Sequence, residues 1–245
     1  MVEATASDVR RYMADAIIAA RREGRLLQPP EVGRGLPAAD AYAVQDIVNG
    51  ALREGQPRVG WKLGYTSEPM RRQMGVAEPN LGPLFASMLL TDGAIVDSGV
   101  LQPKAEPEIA AVIGPDGRVL EWRAAIEIVD SVWEGYRFDW ALNTADGSSA
   151  ALVVLGDRIA DSDLARLAVS LARNGRIDQH GWGRNAMGDP AAAIVWLVNR
   201  LDERGDRLRE GDVVITGGLT AAVPFEPGDL IEAAIGSAGV RVRRA

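Results

Sequence analysis

The chain has no cysteine and a single histidine, His180, among its 245 residues. The missing cysteines exclude disulfides, zinc–thiolate sites, iron–sulfur clusters and thiol nucleophiles. One histidine cannot make a multi-histidine metal centre. A bound metal would therefore need oxygen ligands, which suits hard cations such as Mg²⁺ or Mn²⁺. Positive charge is also in deficit, with 27 Lys and Arg against 34 Asp and Glu and a net charge of -7. That balance argues against nucleic acid as a partner, because phosphate backbones select basic proteins. Long hydrophobic runs are missing too. The longest, AAAIVWLV from Ala191 to Val198, falls far short of the ~20 apolar residues of a membrane span. The N-terminal stretch MVEATASDVRRYMADAIIAA lacks the basic segment and apolar core of a signal peptide. These absences lead to the expectation of a cytoplasmic protein with no membrane partner.

The chain does have enough apolar mass for a sizeable core. Hydrophobic residues make up 47% and charged residues 25%, the mix of an ordinary globule. The length suits one large domain or a domain with an accessory segment. Residues 7–23 read as an amphipathic helix with Ser7 as N-cap and Gly24 as terminator. Residues 26–37 read as a loop, and residues 38–55 as a second helix. We therefore expect a helical segment over 1–58 and a larger mixed-sheet domain over 59–245, together forming one integrated unit. In the second part, RVGWKLGYTS, LLTDGAIVDSG, KAEPEIAAVIG, AAIEIVDSV, SAALVVLG, GDVVITGG and GDLIEAAIG are short segments bounded by Gly and Asp and read as strands. Two more helices are expected, one from Ser162 in SDLARLAVSLARNG and one capped by Asp189 with Pro190 in its first turn. Strands and helices do not alternate strictly, so a mixed sheet, rolled or sandwiched, is expected rather than a doubly wound one.

Several residues stand out against this background. Glu106 and Glu108 are two apart in KAEPEIAAVIG, so on a strand they share a face. Adjacent buried carboxylates repel, and a divalent cation would resolve the conflict. Two solvent-facing glutamates on an exposed sheet face fit the spacing equally well. Glu127, between Ile126 and Ile128, would be a third carboxylate if its face is a polar pocket. The alternative is a salt-bridged strand glutamate. Lys62, between Trp61 and Leu63, reads either as a partly buried cation for substrate binding or proton transfer, or as an edge-strand lysine. In NTADGSSA, Asp146 and Ser149 could orient water or substrate, although the composition is that of a turn. Asp130 reads as a turn former, His180 as a surface-loop residue, and Gly217–Gly218 as a place where backbone could approach a ligand closely.

In order along the chain, GWKLGYTS, QMGVAEPNLGPLF, LQPKAEPEIAAVIG, AIEIVDS, TADGSSA and ITGGLTAAVPFEPGD resemble the 2-oxopent-4-enoate hydratase / 4-oxalocrotonate decarboxylase family of the fumarylacetoacetate hydrolase superfamily. The resemblance runs from the first helix to about Gly236. It implies an α+β fold, a mixed β-roll or sandwich with an N-terminal helical cap. It also implies one Mg²⁺ or Mn²⁺ held by Glu106, Glu108 and Glu127, a 2-oxo acid substrate that chelates the metal, and Lys62, Asp146 and Ser149 near the reacting atoms. Homo-oligomers and association with a partner hydratase or decarboxylase are further implications. The expected reaction is decarboxylation of a 4-oxalocrotonate-like 2-oxo diacid through a metal-stabilised dienolate. Hydration of a 2-hydroxydienoate is the alternative, and a non-catalytic assembly subunit is the second. Asn80 stands where the hydratases typically carry an aspartate, and this favours decarboxylation. Val132, Gly147, Trp182, Arg184 and Asn185 depart from the family pattern. The losses at Val132 and the bulk at Trp182 are expected to alter the substrate pocket more than the metal site.

Overall fold

The computed structural model describes residues 5–29, 35–97 and 99–245; the side chains of Met70, Gln73 and Met74 are outside the description. The loop expected over 26–37 therefore lies partly outside the described residues. Helix α1 (Ala6–Glu23) is capped by Thr5 rather than Ser7. Thr5 and Asp8 form a reciprocal capping box, which satisfies two helix-end donors where Ser7 would satisfy one. Gly24 ends the helix in the left-handed region. Helix α2 (Ala38–Leu52) follows Pro37, and the two helices bury Met13, Ala14, Ile17, Ala20, Val44 and Val48 in one cluster. That cluster also contains Val132, Trp133, Leu142 and Ala145, so the helical segment shares a core with the chain that follows the glutamate strands.

Strand β1 (Arg58–Gly64) leads to helix α3 (Glu68–Met74) and then to β2 (Asn80–Phe85), β3 (Leu89–Thr91) and β4 (Ala94–Val96). The long hairpin β5 (Lys104–Ile113) and β6 (Val119–Val129) precedes α4 (Trp140–Ala145) and β7 (Ala150–Ile159). Then come β8 (Ala168–Arg173), β9 (Arg176–Trp182) and α5 (Pro190–Glu203). The chain closes with β10 (Val213–Ile215), β11 (Val223–Pro224), β12 (Leu230–Ile235) and β13 (Ala238–Arg244).

These strands form two sheets. One is eight-stranded and mixed, ordered β2-β1-β10-β5-β6-β7-β3 with β11 also on β5; the other is five-stranded, ordered β4-β13-β12-β8-β9. The first sheet curls into a half-barrel. Its outer face packs against the second sheet through Ile109, Ile126, Ile128 and Val154 facing Val169, Leu171, Ile231 and Val240. Further along it packs through Leu63, Ala111 and Val214 against Ala193, Leu197 and Leu201 of α5. Its concave face is apolar at one end, where Leu84, Met88, Ala110, Ala125, Val153, Val213 and Ile215 meet. The α+β roll with a helical cap is thus present. No described helix is long and apolar enough to cross a membrane.

Two further expectations are corrected. The helix expected from Ser162 is one short turn, Leu164–Arg166, followed by strand β8. Leu164, Leu167, Ala168 and Leu171 have helical spacing, but Leu167, Val169 and Leu171 also alternate. Pairing of β8 with both β12 and β9 decides in favour of the strand, a tertiary choice that local periodicity does not encode. His180 lies on β9 rather than in a loop, paired opposite Ser170, and it is exposed.

Candidate metal and substrate site

At the other end of the concave face the side chains become polar. In the β5–β6 register Glu106 pairs with Glu127 and Glu108 with Ala125. Directly opposed residues of an antiparallel pair share a face, so all three glutamates project into the half-barrel. One oxygen of each lies within 4.8 Å of the others. Glu108 and Glu127 are fully buried, and Glu106 is half-buried above them. Glu108 Oε2 accepts from the Gly217 N–H at 2.7 Å. Glu108 Oε1 and both oxygens of Glu127 are buried with no hydrogen-bond partner.

Lys62 reaches the same group from β1. Its Nζ lies 3.3 Å from Glu127 Oε1 and donates to the Ser148 carbonyl at 2.5 Å. Three carboxylates beside one ammonium leave a formal charge of about −2 when all are ionised, in a largely buried place where water screens it weakly. The titration directions express this conflict. Burial, then the charge of Glu127, pushes Glu106 up to about 7 although Lys62 opposes it. Burial likewise pushes Glu108 well above the carboxylate range and raises Glu127. Burial pulls the Lys62 ammonium down, but Glu127, Glu106 and Glu108 outweigh it and the net direction is up. A divalent cation fits this donor set: it cancels the surplus charge and supplies a partner to the orphaned oxygens.

Above the carboxylates opens a cavity of about 300 Å³. Lys62, Glu106, Asn143, Ser148 and Ser149 line it, with Tyr65, Thr66, Lys104, Tyr136 and Phe138. Gly218 lines its edge, with Gly217 next to it in the chain. A Cβ on Gly218 would sit 2.2 Å from Glu106 Oε2, and one on Gly217 1.9 Å from Thr66 Oγ1. The expected close backbone approach is therefore to the carboxylates themselves. On the far wall, Gly147, Ser148 and Ser149 all have positive φ. This left-handed turn aims the Ser148 carbonyl at Lys62, an arrangement that costs backbone strain at two serines. Asn143 Nδ2 donates to Ser149 Oγ at 2.9 Å. Asn80 is fully used: its Nδ2 donates to Asn143 Oδ1 and Thr144 Oγ1, and its Oδ1 accepts from Ser148 Oγ.

Of the expected residues, Glu106, Glu108, Glu127, Lys62 and Ser149 come together. Asp146 does not line this cavity. Its Oδ1 accepts from Arg21 at 2.8 Å, and its Oδ2 accepts from the Val132 N–H at 2.8 Å and from Ser131 Oγ at 3.2 Å. It is a buried anchor turned away from the site. Asp130 is likewise no simple turn former, since it is fully buried and accepts from Arg21 and from the N–H groups of Leu101 and Gln102. The substituted positions also lie elsewhere. Val132 is buried in the helical core. Trp182 is 43% exposed with the Arg184 guanidinium 4.5 Å from its ring centroid, and Asn185 donates to the Leu219 carbonyl. None of them lines the cavity, so the expected alteration of the pocket by Val132 and Trp182 is not there.

Sequence reasoning missed Tyr65 and Lys104. Tyr65 has φ 56° and a buried hydroxyl without a partner. Lys104 rests its ammonium 4.1 Å from the Tyr136 ring centroid and has no ion pair within reach among the described residues. The period-two rule that joined Glu106 to Glu108 extends back to Lys104 and could have found it.

Residues 65–244 match the fumarylacetoacetate (FAA) hydrolase C-terminal family model. The chain belongs to this family. It is 37% identical over 239 residues to 2-keto-4-pentenoate hydratase 1 of Dechloromonas aromatica (strain RCB), covering 90% of this chain and 91% of that protein. It is also 37% identical over 210 residues to 4-oxalocrotonate decarboxylase of Pseudomonas sp. (strain CF600), covering 79% and 80%. Among solved structures, 4-oxalocrotonate decarboxylase from Pseudomonas putida G7, complexed with magnesium and adipate, superposes with a TM-score of 0.86 at 31% identity, covering 98% of both chains.

Proposed function

We propose that this member of the family is a divalent-metal-dependent lyase that decarboxylates a 2-oxo-enoic diacid. The observation that carries the reading is the convergence of three buried, partly orphaned carboxylates beneath an open cavity. Glu106, Glu108 and Glu127 would hold Mg²⁺ or Mn²⁺, in keeping with the magnesium in the Pseudomonas putida G7 decarboxylase. The ion would supply positive charge where the substrate's carboxylate and keto oxygens gather electron density. Loss of CO₂ leaves an electron pair that spreads through the substrate's own conjugated 2-oxo system, and a proton must then reach carbon. Lys62 is the proton donor in this reading, held at the cavity wall by Glu127 and the Ser148 carbonyl. Tyr65 offers a hydroxyl donor to a substrate oxygen. Ser149, fixed by Asn143, orients the substrate from the opposite wall. Lys104 is the cation available to the second carboxylate of a diacid. Asp146 acts only through the turn it anchors.

Hydration of a 2-hydroxydienoate is the second reading, favoured by the similarity to the Dechloromonas aromatica hydratase. Asn80 weighs against it. Both ends of its amide are bonded, so no carboxylate stands there to move a proton to or from water. An assembly subunit without chemistry would gain nothing from burying three repelling carboxylates. We further propose that the helical segment 1–58 and the roll 59–245 work as one unit, in view of their shared cluster. The exposed Val195 and Val198 on α5 support self-association as a homo-oligomer, which light scattering on a sizing column would test. The test of reaction type is incubation with 2-oxohex-3-enedioate and, separately, with 2-hydroxypenta-2,4-dienoate in Mg²⁺. CO₂ release from the first is the expected result; consumption of the second with no CO₂ release from the first would assign the chain to the hydratases.

A further inference from the structure

A second cavity of about 410 Å³ lies behind the Gly147–Ser149 turn, between α2, the end of β2 and the start of β7. Val48, Leu52, Val100 and Leu152 make much of its wall apolar, while Asn49 and Arg53 face it as polar groups. Arg53 is half-buried, and among the described residues its guanidinium has no hydrogen bond or ion pair. The other guanidinium lining the cavity, that of Arg21, is already engaged with Asp130 and Asp146. Burial and the nearness of Arg21 both pull Arg53 below its ordinary value. The Asn49 amide nitrogen is buried with no acceptor. A part-buried guanidinium and an orphaned amide donor therefore converge on one space, and the one carboxylate among the described residues lining it, Asp146, is already taken by Arg21, Ser131 and Val132.

We propose that this cavity is a binding site for a small organic carboxylate with a hydrocarbon tail, its head on Arg53 and Asn49 and its tail against the apolar wall. The guanidinium provides a fork of donors matched to a carboxylate, and Asn49 adds another. The apolar wall selects against inorganic anions, which have nothing to bury there. The site is separate from the glutamate cavity but backs onto it. Gly147 lines this space, while its neighbours Ser148 and Ser149 line the other. A bound ligand would touch the reverse of the turn whose carbonyl holds Lys62.

Calorimetric titration of hexanoate into the full chain in EDTA tests this independently of the metal reading, because without a cation the three glutamates repel a carboxylate. The expected result is saturable binding of one hexanoate per chain. Arg53→Met should weaken it roughly tenfold or more, and Val100→Trp, which fills the cavity while leaving Arg53 in place, should abolish it. Lys62→Met should leave it unchanged. Hexanoate binding that is absent from the wild type, indifferent to both cavity variants, or lost equally in Lys62→Met would overturn the proposal. So would a change of oligomeric state in Arg53→Met with no hexanoate binding, since the cavity would then belong to a contact between copies of the chain.

Discussion

Two buried clusters of carboxylates lie a few residues apart in this chain, and they are satisfied in opposite ways. Asp130 and Asp146 share Arg21, and their remaining oxygens accept from the backbone of Leu101, Gln102 and Val132 and from Ser131. Glu106, Glu108 and Glu127 share Lys62 as their one cation and the Gly217 N–H as a donor, and three of their oxygens accept no hydrogen bond. The first cluster is closed and ties α1 to the segments after β6 and α4. The second is incomplete, opens on a cavity, and sits where strand pairing forces like charges together. Buried charge that is fully bonded holds a fold together; buried charge left unbonded and accessible is the signature of a site.

The contrast is most sharply tested by substitution. Glu127→Gln removes one carboxylate from the open cluster and should reduce lyase turnover by roughly a thousandfold or more, while the protein stays folded. Steady-state rates beside a circular dichroism spectrum would check both halves. Arg21→Met strikes the closed cluster and leaves two buried aspartates uncompensated. It should cost about 3–5 kcal/mol of stability by urea denaturation, and Mn²⁺ bound at the glutamates should not restore the ties that Arg21 made.

A smaller effect concerns pH. In the metal-free protein Glu106 is raised to about 7, and Glu108 and Glu127 are raised too. The folded state therefore binds protons that the unfolded state releases near the ordinary glutamate value. Stability is fully present below about pH 4.5 and is lost as pH rises through about 7. Thermal melts in EDTA between pH 5 and pH 7.5 should fall with pH, whereas melts in saturating Mn²⁺ should not. The smallest expected change is Ser149→Ala, which removes the acceptor of Asn143 and should cost about 1 kcal/mol. It should also raise KM more than it lowers kcat, as befits a residue that orients substrate.

Legibility from sequence divides along similar lines. The glutamates were legible because the period of a strand is local: two residues apart means one face, and Glu127 was marked by its isoleucine neighbours. Lys62 was marked in the same way by Trp61 and Leu63. The closed cluster was not legible. Arg21 reaches Asp130 and Asp146 across more than a hundred residues, and no spacing reports such a contact. Asp146 and Ser149 looked alike in ADGSS, yet the left-handed turn at Gly147–Ser149 sends one toward Arg21 and the other into the cavity. In the fold, α5 was marked by Asp189 and Pro190, whereas β8 carried both helical and strand periodicities and was decided by its neighbours. Val132 shows a further limit. A lost charge reads as a changed pocket, but the position faces a hydrophobic cluster.

The central claim is that the open cluster is a cation site rather than a set of structural glutamates. Titration of Mn²⁺ into the metal-free protein, followed by calorimetry, tests it most directly. The account predicts one ion bound per chain in the wild type, no binding in Glu108→Gln, and normal binding in Lys104→Met. An absence of binding in the wild type, or binding unchanged by Glu108→Gln, would contradict it.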